Sequence, residues 1–156
     1  MIYVFDSSPL INLFRHYYRN RFPTLWQQFD EMVKDGQITS TREVSKELDG
    51  QEDELSSWCK LNKHLFVMPS VAELAIVQDI FKVQHFQAII RKNERLRGKP
   101  VADPFVIARA KCLGDACVVT DEKFSPNAAK LPNVCKHFQV DCTNLEGFME
   151  RENWRF

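Results

Sequence analysis

The sequence predicts an α/β fold, a three-layer α/β/α sandwich with a mostly parallel central sheet. Short apolar runs alternate along the chain with longer segments of helical periodicity. Two of the runs, IYVF at 2–5 and ACVVT at 116–120, are apolar on both faces, which is typical of buried parallel strands. Helix start and stop residues punctuate the segments between the strands. Strands that alternate with helices place helices on both sides of one sheet.

The first half of the chain is predicted to contain two strands and four helices before a third strand. Ile2–Phe5 is a strand, and Ser8 followed by Pro9 predicts an N-cap and a first helical residue. The sequence Ser40-Thr-Arg-Glu43 matches a capping box, which predicts a further helix start. The full set is Ile2–Phe5 (strand), Pro9 to about Tyr18 (helix), Pro23 to Gly36 (helix), Gln37–Thr39 (strand), Ser40 to about Asp49 with Gly50 as its stop (helix), 52–64 (helix) and Leu65–Met68 (strand).

The second half is predicted to begin with the longest helix, from Ser70 to about Arg91, which carries a wide apolar stripe. Asp103 followed by Pro104 reads as an N-cap and a first helical residue, and Gly114 as the end of that helix. The remaining predicted elements are a strand at Ala116–Thr120, a strand near Phe138–Asp141 and a last helix from Asn144 onwards.

Length, composition and charge narrow the class of protein. The 156 residues show no internal repeat, so we treat 1–156 as a single domain. Lys plus Arg and Asp plus Glu each number 21, and the resulting zero net charge argues against a simple electrostatic coat for nucleic acid. No apolar run is long enough to span a membrane, and Asp6 interrupts the N-terminal run too early for a secretory signal. We therefore expect a cytoplasmic protein without a membrane partner, and its five cysteines as reduced thiols.

Acidic residues are placed where a parallel sheet would bring them together. Ligand sites of such sheets lie beyond the carboxyl ends of the strands. Carboxylates that converge there suit the hard cations Mg²⁺ and Mn²⁺, which activate water and stabilise charge on a phosphodiester. The candidate acids are Asp6 after the first strand, Asp121 and Glu122 after the strand at 116–120, Asp103 at a helix start, and Glu47 with Glu43 one turn earlier on the same helix face.

Most of these acids also have a structural explanation. Asp103 is explained as a helix cap and Glu43 by the capping box. Glu47 could be an exposed helix residue, and the two acids after the second strand could be turn residues. Asp6 is the hardest to explain in this way, because Asp is seldom buried without a partner. The case for a site therefore depends on the joint placement of the acids.

Four segments resemble, in order, the motifs of the PIN domain family: VFDSSPLINL, STREVSKEL, VADPFVIARA and VVTDEKF. PIN domains are metal-dependent ribonucleases, and many small prokaryotic members are VapC-type toxins paired with an antitoxin. The segment Phe22-Pro-Thr-Leu-Trp26 resembles an uncharacterised PIN-like branch. The resemblance implies a PIN-like fold, an RNA substrate and an antitoxin, and it allows for a homodimer.

The resemblance also implies a set of metal ligands. These are Asp6, Glu47, Asp103 and an acid after Thr120, which together would hold Mg²⁺ or Mn²⁺. Strict spacing places Glu122 in the family's acidic position, while Asp121 stays open as the alternative. Side chains that would orient the ligands or water are Ser7, Thr120 and Glu43.

Two groups of cations flank the candidate acids. Arg15 lies near the first motif with tyrosines that could stack on unpaired bases, and a basic loop precedes Asp103. The loop cations are Arg91, Lys92, Arg95, Arg97 and Lys99. A phosphate backbone that approaches an acidic metal site needs such cations, although solvated surface segments explain both groups equally well.

The expected function is that of a Mg²⁺- or Mn²⁺-dependent endoribonuclease, with two alternatives from other classes. One is a PIN-like module that binds RNA or protein without turnover, and the other is a structure-specific DNA nuclease. Phosphate contacts do not separate RNA from DNA. A zinc site made of Cys112, Cys117, Cys135, His137 and Cys142 matches no standard spacing, so buried structural thiols are the preferred interpretation.

Overall fold

The computed structural model describes residues 1–49, 53–87 and 102–156. The strands are β1 (Ile2–Phe5), β2 (Ile38–Thr41), β3 (Phe66–Val67), β4 (Ala116–Val119) and β5 (Asp141–Thr143). The α-helices with described bounds are α1 (Ser7–His16), α2 (Pro23–Lys34), α3 (Arg42–Leu48), α4 (Glu54–Leu61), α5 (Val71–Lys82), α6 (Asp103–Leu113), α7 (Leu131–His137) and α8 (Leu145–Arg151). A 3₁₀ turn at Lys63–Leu65 precedes β3.

The five strands form one sheet in the order β3-β2-β1-β4-β5, and each pair is parallel. The predicted α/β class with a parallel sheet is confirmed. From β1 the chain winds outward to β3 and then returns to the other side of β1 to form β4. The direction of winding therefore reverses between β1 and β4, and α/β sheets bind ligands in the crevice beyond the carboxyl ends at such a reversal.

Helices cover both faces of the sheet. On one face the Phe5 ring packs edge-on against Phe29 of α2 and Phe148 of α8, with ring centroids 5.7 and 5.2 Å apart. On the other face α6 contacts β1, β2 and β4. Arg109 of α6 bonds to Thr39, the register partner of Val4, which points to the face opposite Phe5. No helix in the described ranges is long and apolar enough to cross a membrane.

Two predicted caps are wrong because strands run directly into helices. Helix α1 begins at Ser7, so Asp6 occupies the N-cap position that was predicted for Ser8. The predicted capping box fails because Ser40 lies inside β2, where its hydroxyl donates a 2.6 Å hydrogen bond to the Phe5 carbonyl. Thr41 is the N-cap of α3 instead. Neither Asp6 nor Thr41 forms a side-chain cap bond, which frees both side chains for another role.

Asp103 is also displaced from its predicted position. It is the first residue of α6 rather than its N-cap, which is Ala102. The helix ends before Gly114, as predicted, and that glycine has a φ of 82°, which favours glycine. The predicted start of this helix is therefore one residue late.

The predicted long helix from Ser70 ends at Lys82, and its predicted end at Arg91 lies outside the described residues, as does the predicted stop at Gly50. The apolar stripe is also wrong at its start. Val71 and Leu74 are exposed, whereas Glu73 is buried because its carboxylate pairs with Arg109 at 3.2 Å. A buried ion pair therefore overrides the hydrophobic pattern here.

Smaller differences concern the ends of other elements. Helix α2 ends at Lys34 rather than Gly36, and the helix predicted at 52–64 is split into α4 and the 3₁₀ turn. The strands predicted at Gln37–Thr39 and Leu65–Met68 are β2 and β3, with shifted ends. The strand predicted near Phe138–Asp141 is β5, displaced toward the C-terminus: it begins only at Asp141, because α7 extends to His137.

Candidate active site

Asp6 lies at the carboxyl end of β1 and is 3% exposed. Its backbone N–H donates to the Val119 carbonyl at 2.9 Å, which extends the pairing of β1 with β4. The Thr120 hydroxyl donates a 3.0 Å hydrogen bond to Asp6 Oδ2, and Oδ1 has no hydrogen-bond partner among the described residues. A buried carboxylate oxygen without a partner is costly, so this atom marks a place where a ligand would be favourable.

The Asp6 carboxyl has a pKa raised from 3.8 to about 7. Burial is the main cause, followed by the negative charge of Glu47, and Glu122 adds to the rise. The nearby backbone of Ser7 and the hydrogen bond from the Thr120 hydroxyl act in the opposite direction, because both favour the charged form. Three acids that are far apart in the sequence therefore repel one another at one edge of the sheet.

Glu47 connects two of the helices that surround Asp6. Its Oε1 accepts a 3.0 Å hydrogen bond from the Ala102 backbone N–H, which ties α3 to the start of α6. Asp103, the next residue, is 8% exposed. The structure thus holds the start of α6 against the helix that carries Glu47.

The two acids after β4 have different surroundings. Asp121 accepts from the Leu145 N–H at 3.0 Å with Oδ1 and from the Asn12 amide with Oδ2, so it fixes the start of α8. Glu122 Oε2 accepts from the Leu131 N–H at 3.0 Å, and Glu122 also raises the pKa of Asp6. Glu122, the residue that strict spacing favours, is the one that interacts electrostatically with Asp6.

Hydroxyl groups complete the surroundings of Asp6, and sequence reasoning missed two of them. Thr41 lies beside Asp6 because the β1–β2 register pairs Val4 with Thr39, and the Thr41 hydroxyl is buried without a partner. Ser8 accepts a 3.1 Å hydrogen bond from the Asp121 N–H. The signal for Thr41 was its position at the end of a strand next to β1.

Glu43 of α3 is 3% exposed. Its Oε1 accepts from Arg42 at 3.0 Å, and its Oε2 has no hydrogen-bond partner. Ser7, the other predicted orienting residue, is half-buried at the first position of α1. Its hydroxyl role remains a prediction.

The carboxylates are not drawn together into a ligand shell. Among the side chains of 1–49, 53–87 and 102–156, no group of three His, Cys, Asp or Glu residues lies close enough to hold a metal ion as positioned. The unpartnered oxygens of Asp6, Thr41 and Glu43 nevertheless have the chemistry that a hard cation and its water ligands require.

A cleft of about 990 Å³ opens beside the acids. It lies beyond the carboxyl ends of β4 and β5, and Thr120 and Glu122 belong to its lining. Its walls come from α1, α7, the start of α8 and the segment that follows β4. The cleft is thus continuous with the edge of the sheet that holds Asp6.

The sequence as a whole matches one family model, a domain of unknown function (DUF4411), over residues 3–156. The chain belongs to the DUF4411 family. A comparison with curated proteins finds no match. Among solved structures, the chain is similar to the crystal structure of VapBC2 from Rickettsia felis bound to a DNA fragment from their promoter, with 11% identity and a TM-score of 0.46 over 92% of this chain and 98% of that one.

The predicted nucleic-acid contacts fall in two places. The first group is at the end of α1, where Arg15 is exposed. Tyr17, one of the tyrosines near it, follows that helix, and its carbonyl accepts a 2.5 Å hydrogen bond from the Trp26 indole. The second group, made of Arg91, Lys92, Arg95, Arg97 and Lys99, lies outside the described residues. The nucleic-acid role of both groups remains a prediction.

The five thiols are free. Cys59, Cys117 and Cys135 are buried, which fits the preferred interpretation of structural thiols. Cys112 is exposed and Cys142 is half-buried. The prediction of buried thiols is therefore wrong for Cys112, because its side of α6 faces solvent.

Proposed function

We propose that this protein is a divalent-metal-dependent endoribonuclease that hydrolyses RNA phosphodiester bonds. The observation that carries the proposal is Asp6, a buried carboxylate at the switch point of the sheet with one oxygen unpartnered among the described residues. Burial, together with the charges of Glu47 and Glu122, raises its pKa to about 7. A buried carboxylate that has one unpartnered oxygen and lies near other negative charges lowers the stability of the folded protein. A bound cation would remove that cost.

The metal-binding residues would be Asp6, Glu47, Asp103 and Glu122, with Asp121 as the alternative to Glu122. A bound Mg²⁺ or Mn²⁺ would supply a water activated at neutral pH and a positive charge near the phosphorus. Thr120 holds Oδ2 of Asp6 and so directs the free Oδ1. Burial lowers the local dielectric, which strengthens each interaction with the reacting phosphodiester.

RNA as the substrate, an antitoxin as the partner and the cytoplasm as the location are also part of the proposal. Their support is the resemblance of four ordered segments to PIN domain motifs, and free thiols fit a reducing compartment. The formation of a homodimer is proposed on the same resemblance.

The test is a cleavage assay on purified protein with single-stranded and structured RNA, with and without Mg²⁺ or Mn²⁺. Asp6→Ala should abolish cleavage and keep a native circular dichroism spectrum, because loss of a metal ligand removes several kcal/mol of transition-state stabilisation. Asp79→Ala, which removes an exposed carboxylate of α5, is the matched control and should cleave like the wild type. Equal cleavage by Asp6→Ala would show that the activity arises elsewhere.

A second candidate function is a module that binds RNA or protein without turnover. The specific observation that favours it is the open arrangement of the described acids, none of which form a three-residue ligand group. If no metal or RNA yields cleavage, even after release of a bound partner, this module replaces the nuclease. A DNA substrate array in the same assay tests the structure-specific DNA nuclease.

A further inference from the structure

The cleft beside the acids carries cations and an exposed aromatic ring on its walls. Phe124 is 50% exposed and follows Glu122 by two residues. The Lys136 ammonium group of α7 lies 5.0 Å from the centre of the Phe124 ring. Lys123 and His16 belong to the same lining. An exposed phenyl ring and neighbouring cations are the two components of sites for unpaired nucleotides.

We infer that this cleft is a subsite for single-stranded polynucleotide, in which an unpaired base stacks on Phe124 and its backbone phosphate binds Lys136. The inference rests on the proposed function and deepens it, because it assigns the path of the strand next to the acids. It also assigns roles to two residues outside the four motif acids.

Four acids line the cleft beside its cations, namely Asp121, Glu122, Asp141 and Glu146, and protein partners offset the charge of two of them. Asp141 is paired with Arg151 through hydrogen bonds of 2.6 and 3.1 Å, which keep its pKa low. Asp121 is occupied by the Leu145 N–H and Asn12. These two carboxylates are therefore compensated by protein donors. The Lys136 ammonium group has a ring as its neighbour, so it retains its capacity to bind phosphate.

The geometry favours a single strand over a duplex. Bases within a duplex stack on one another and offer no free face to a protein ring, whereas an unpaired base does. A volume of about 990 Å³ is at the upper end of the range for small-molecule sites, so the cleft accommodates a nucleotide unit. The ring stands two residues from Glu122, so a base stacked there would place the adjacent phosphate near the acids.

The experiment is fluorescence anisotropy with a short, labelled, unstructured oligonucleotide in the presence of a chelator, so that no cleavage intervenes. RNA, DNA and a duplex of the same sequence form three arms. Phe124→Leu should weaken single-strand binding about tenfold, whereas Phe124→Trp should restore it, because stacking needs a π-face. Lys136→Gln should make the slope of log affinity against log salt shallower by about 0.7, as expected for one lost phosphate contact.

The controls are Phe156→Leu and Lys34→Gln, which change an exposed ring and an exposed lysine that do not line the cleft. Both should bind like the wild type. A preference for RNA over DNA would identify the ribose hydroxyl as a further contact.

Three results would overturn the inference. The first is binding by Phe124→Leu and Lys136→Gln at wild-type strength, and the second is equal binding of the duplex. The third is absence of binding by any strand. The cleavage assay with Asp6→Ala is a separate measurement. Wild-type binding by Phe124→Leu and Lys136→Gln would therefore overturn the subsite without contradicting the proposed nuclease. Conversely, loss of cleavage would not by itself produce wild-type binding in those two variants.

Discussion

Thr120 donates a hydrogen bond of 3.0 Å to Oδ2 of Asp6, and no partner in the described part of the chain reaches Oδ1 of the same buried carboxylate. The two residues directly follow adjacent parallel strands, whose register pairs Phe5 with Val119. The hydroxyl fixes one side of the carboxylate and leaves the other side open. Most buried carboxylate oxygens are hydrogen-bonded, so the open Oδ1 is an atom at which a ligand would be favourable.

The first prediction concerns the pH dependence of stability. The pKa of Asp6 is about 7 in the folded protein and 3.8 ordinarily, so between these values the folded chain binds more protons than the unfolded chain. The Asp6 contribution to stability is therefore complete below about pH 4 and is lost as the pH rises through about 7. Asp6→Asn should remove this loss, which is on the order of 4 kcal/mol before relaxation.

The measurement is urea denaturation of both proteins in chelator at about pH 5 and about pH 8. The stability gain of Asp6→Asn over the wild type should be larger at the higher pH. Asp79→Asn, on the surface of α5, should show no such dependence. A gain that is independent of pH would mean that Asp6 does not carry the raised pKa.

The fold could be predicted because its signals are local. Buried parallel strands need continuous apolar runs, and β1 and β4 have them. Residues such as Pro23 and Gly114 stand at helix ends because their backbone preferences suit those positions. Tertiary contacts decided the rest: the ion pair of Glu73 with Arg109 buries a charged residue that no periodicity could identify.

The candidate site was predictable only in part. The positions of acids after strands indicated Asp6 and Glu122, since strand ends meet at one edge of a parallel sheet. The capping pattern misled at Ser40, because a cap motif does not reveal whether its residues are still part of a strand. At Asp103 the predicted helix start is one residue late. Thr41 required the strand register, which a single sequence does not contain.

The second prediction concerns metal binding without catalysis. Mg²⁺ or Mn²⁺ should raise the free energy of unfolding of the wild type, by about 2.7 kcal/mol at a hundredfold excess over the dissociation constant. Asp6→Asn should respond weakly, and Asp79→Asn should respond like the wild type. Binding should also release protons near pH 7, because a protonated Asp6 must ionise, and calorimetry in buffers of different ionisation enthalpy measures this. Equal stabilisation of all three proteins would argue against a shared site.

The third prediction separates Asp121 from Glu122. Asp121→Ala should lower stability by about 1–3 kcal/mol, because the Leu145 N–H and Asn12 lose their acceptor, and should leave metal affinity unchanged. Glu122→Gln keeps an acceptor for the Leu131 N–H but loses the charge near Asp6, so it should weaken metal binding and lower the Asp6 pKa. Denaturation measures the stability of both variants, and calorimetry measures their metal affinity. Loss of metal affinity in Asp121→Ala but not in Glu122→Gln would make Asp121 the metal-binding acid.

The fourth prediction compares two threonines on the same strand and the same face. The Thr41 hydroxyl is buried without a partner, so Thr41→Val should leave the metal-free stability unchanged or raise it. Thr39 accepts from Arg109 at 3.1 Å and donates to the Leu65 carbonyl, so Thr39→Val should lower the free energy of unfolding by about 1–3 kcal/mol.

The same two variants also test metal binding. If the Thr41 hydroxyl orients a water or ligand at the metal, Thr41→Val should weaken Mg²⁺ or Mn²⁺ binding by about tenfold, whereas Thr39→Val should not. Denaturation in chelator and metal titration by calorimetry give both numbers for each variant. Unchanged metal affinity in Thr41→Val would restrict the site to its carboxylates.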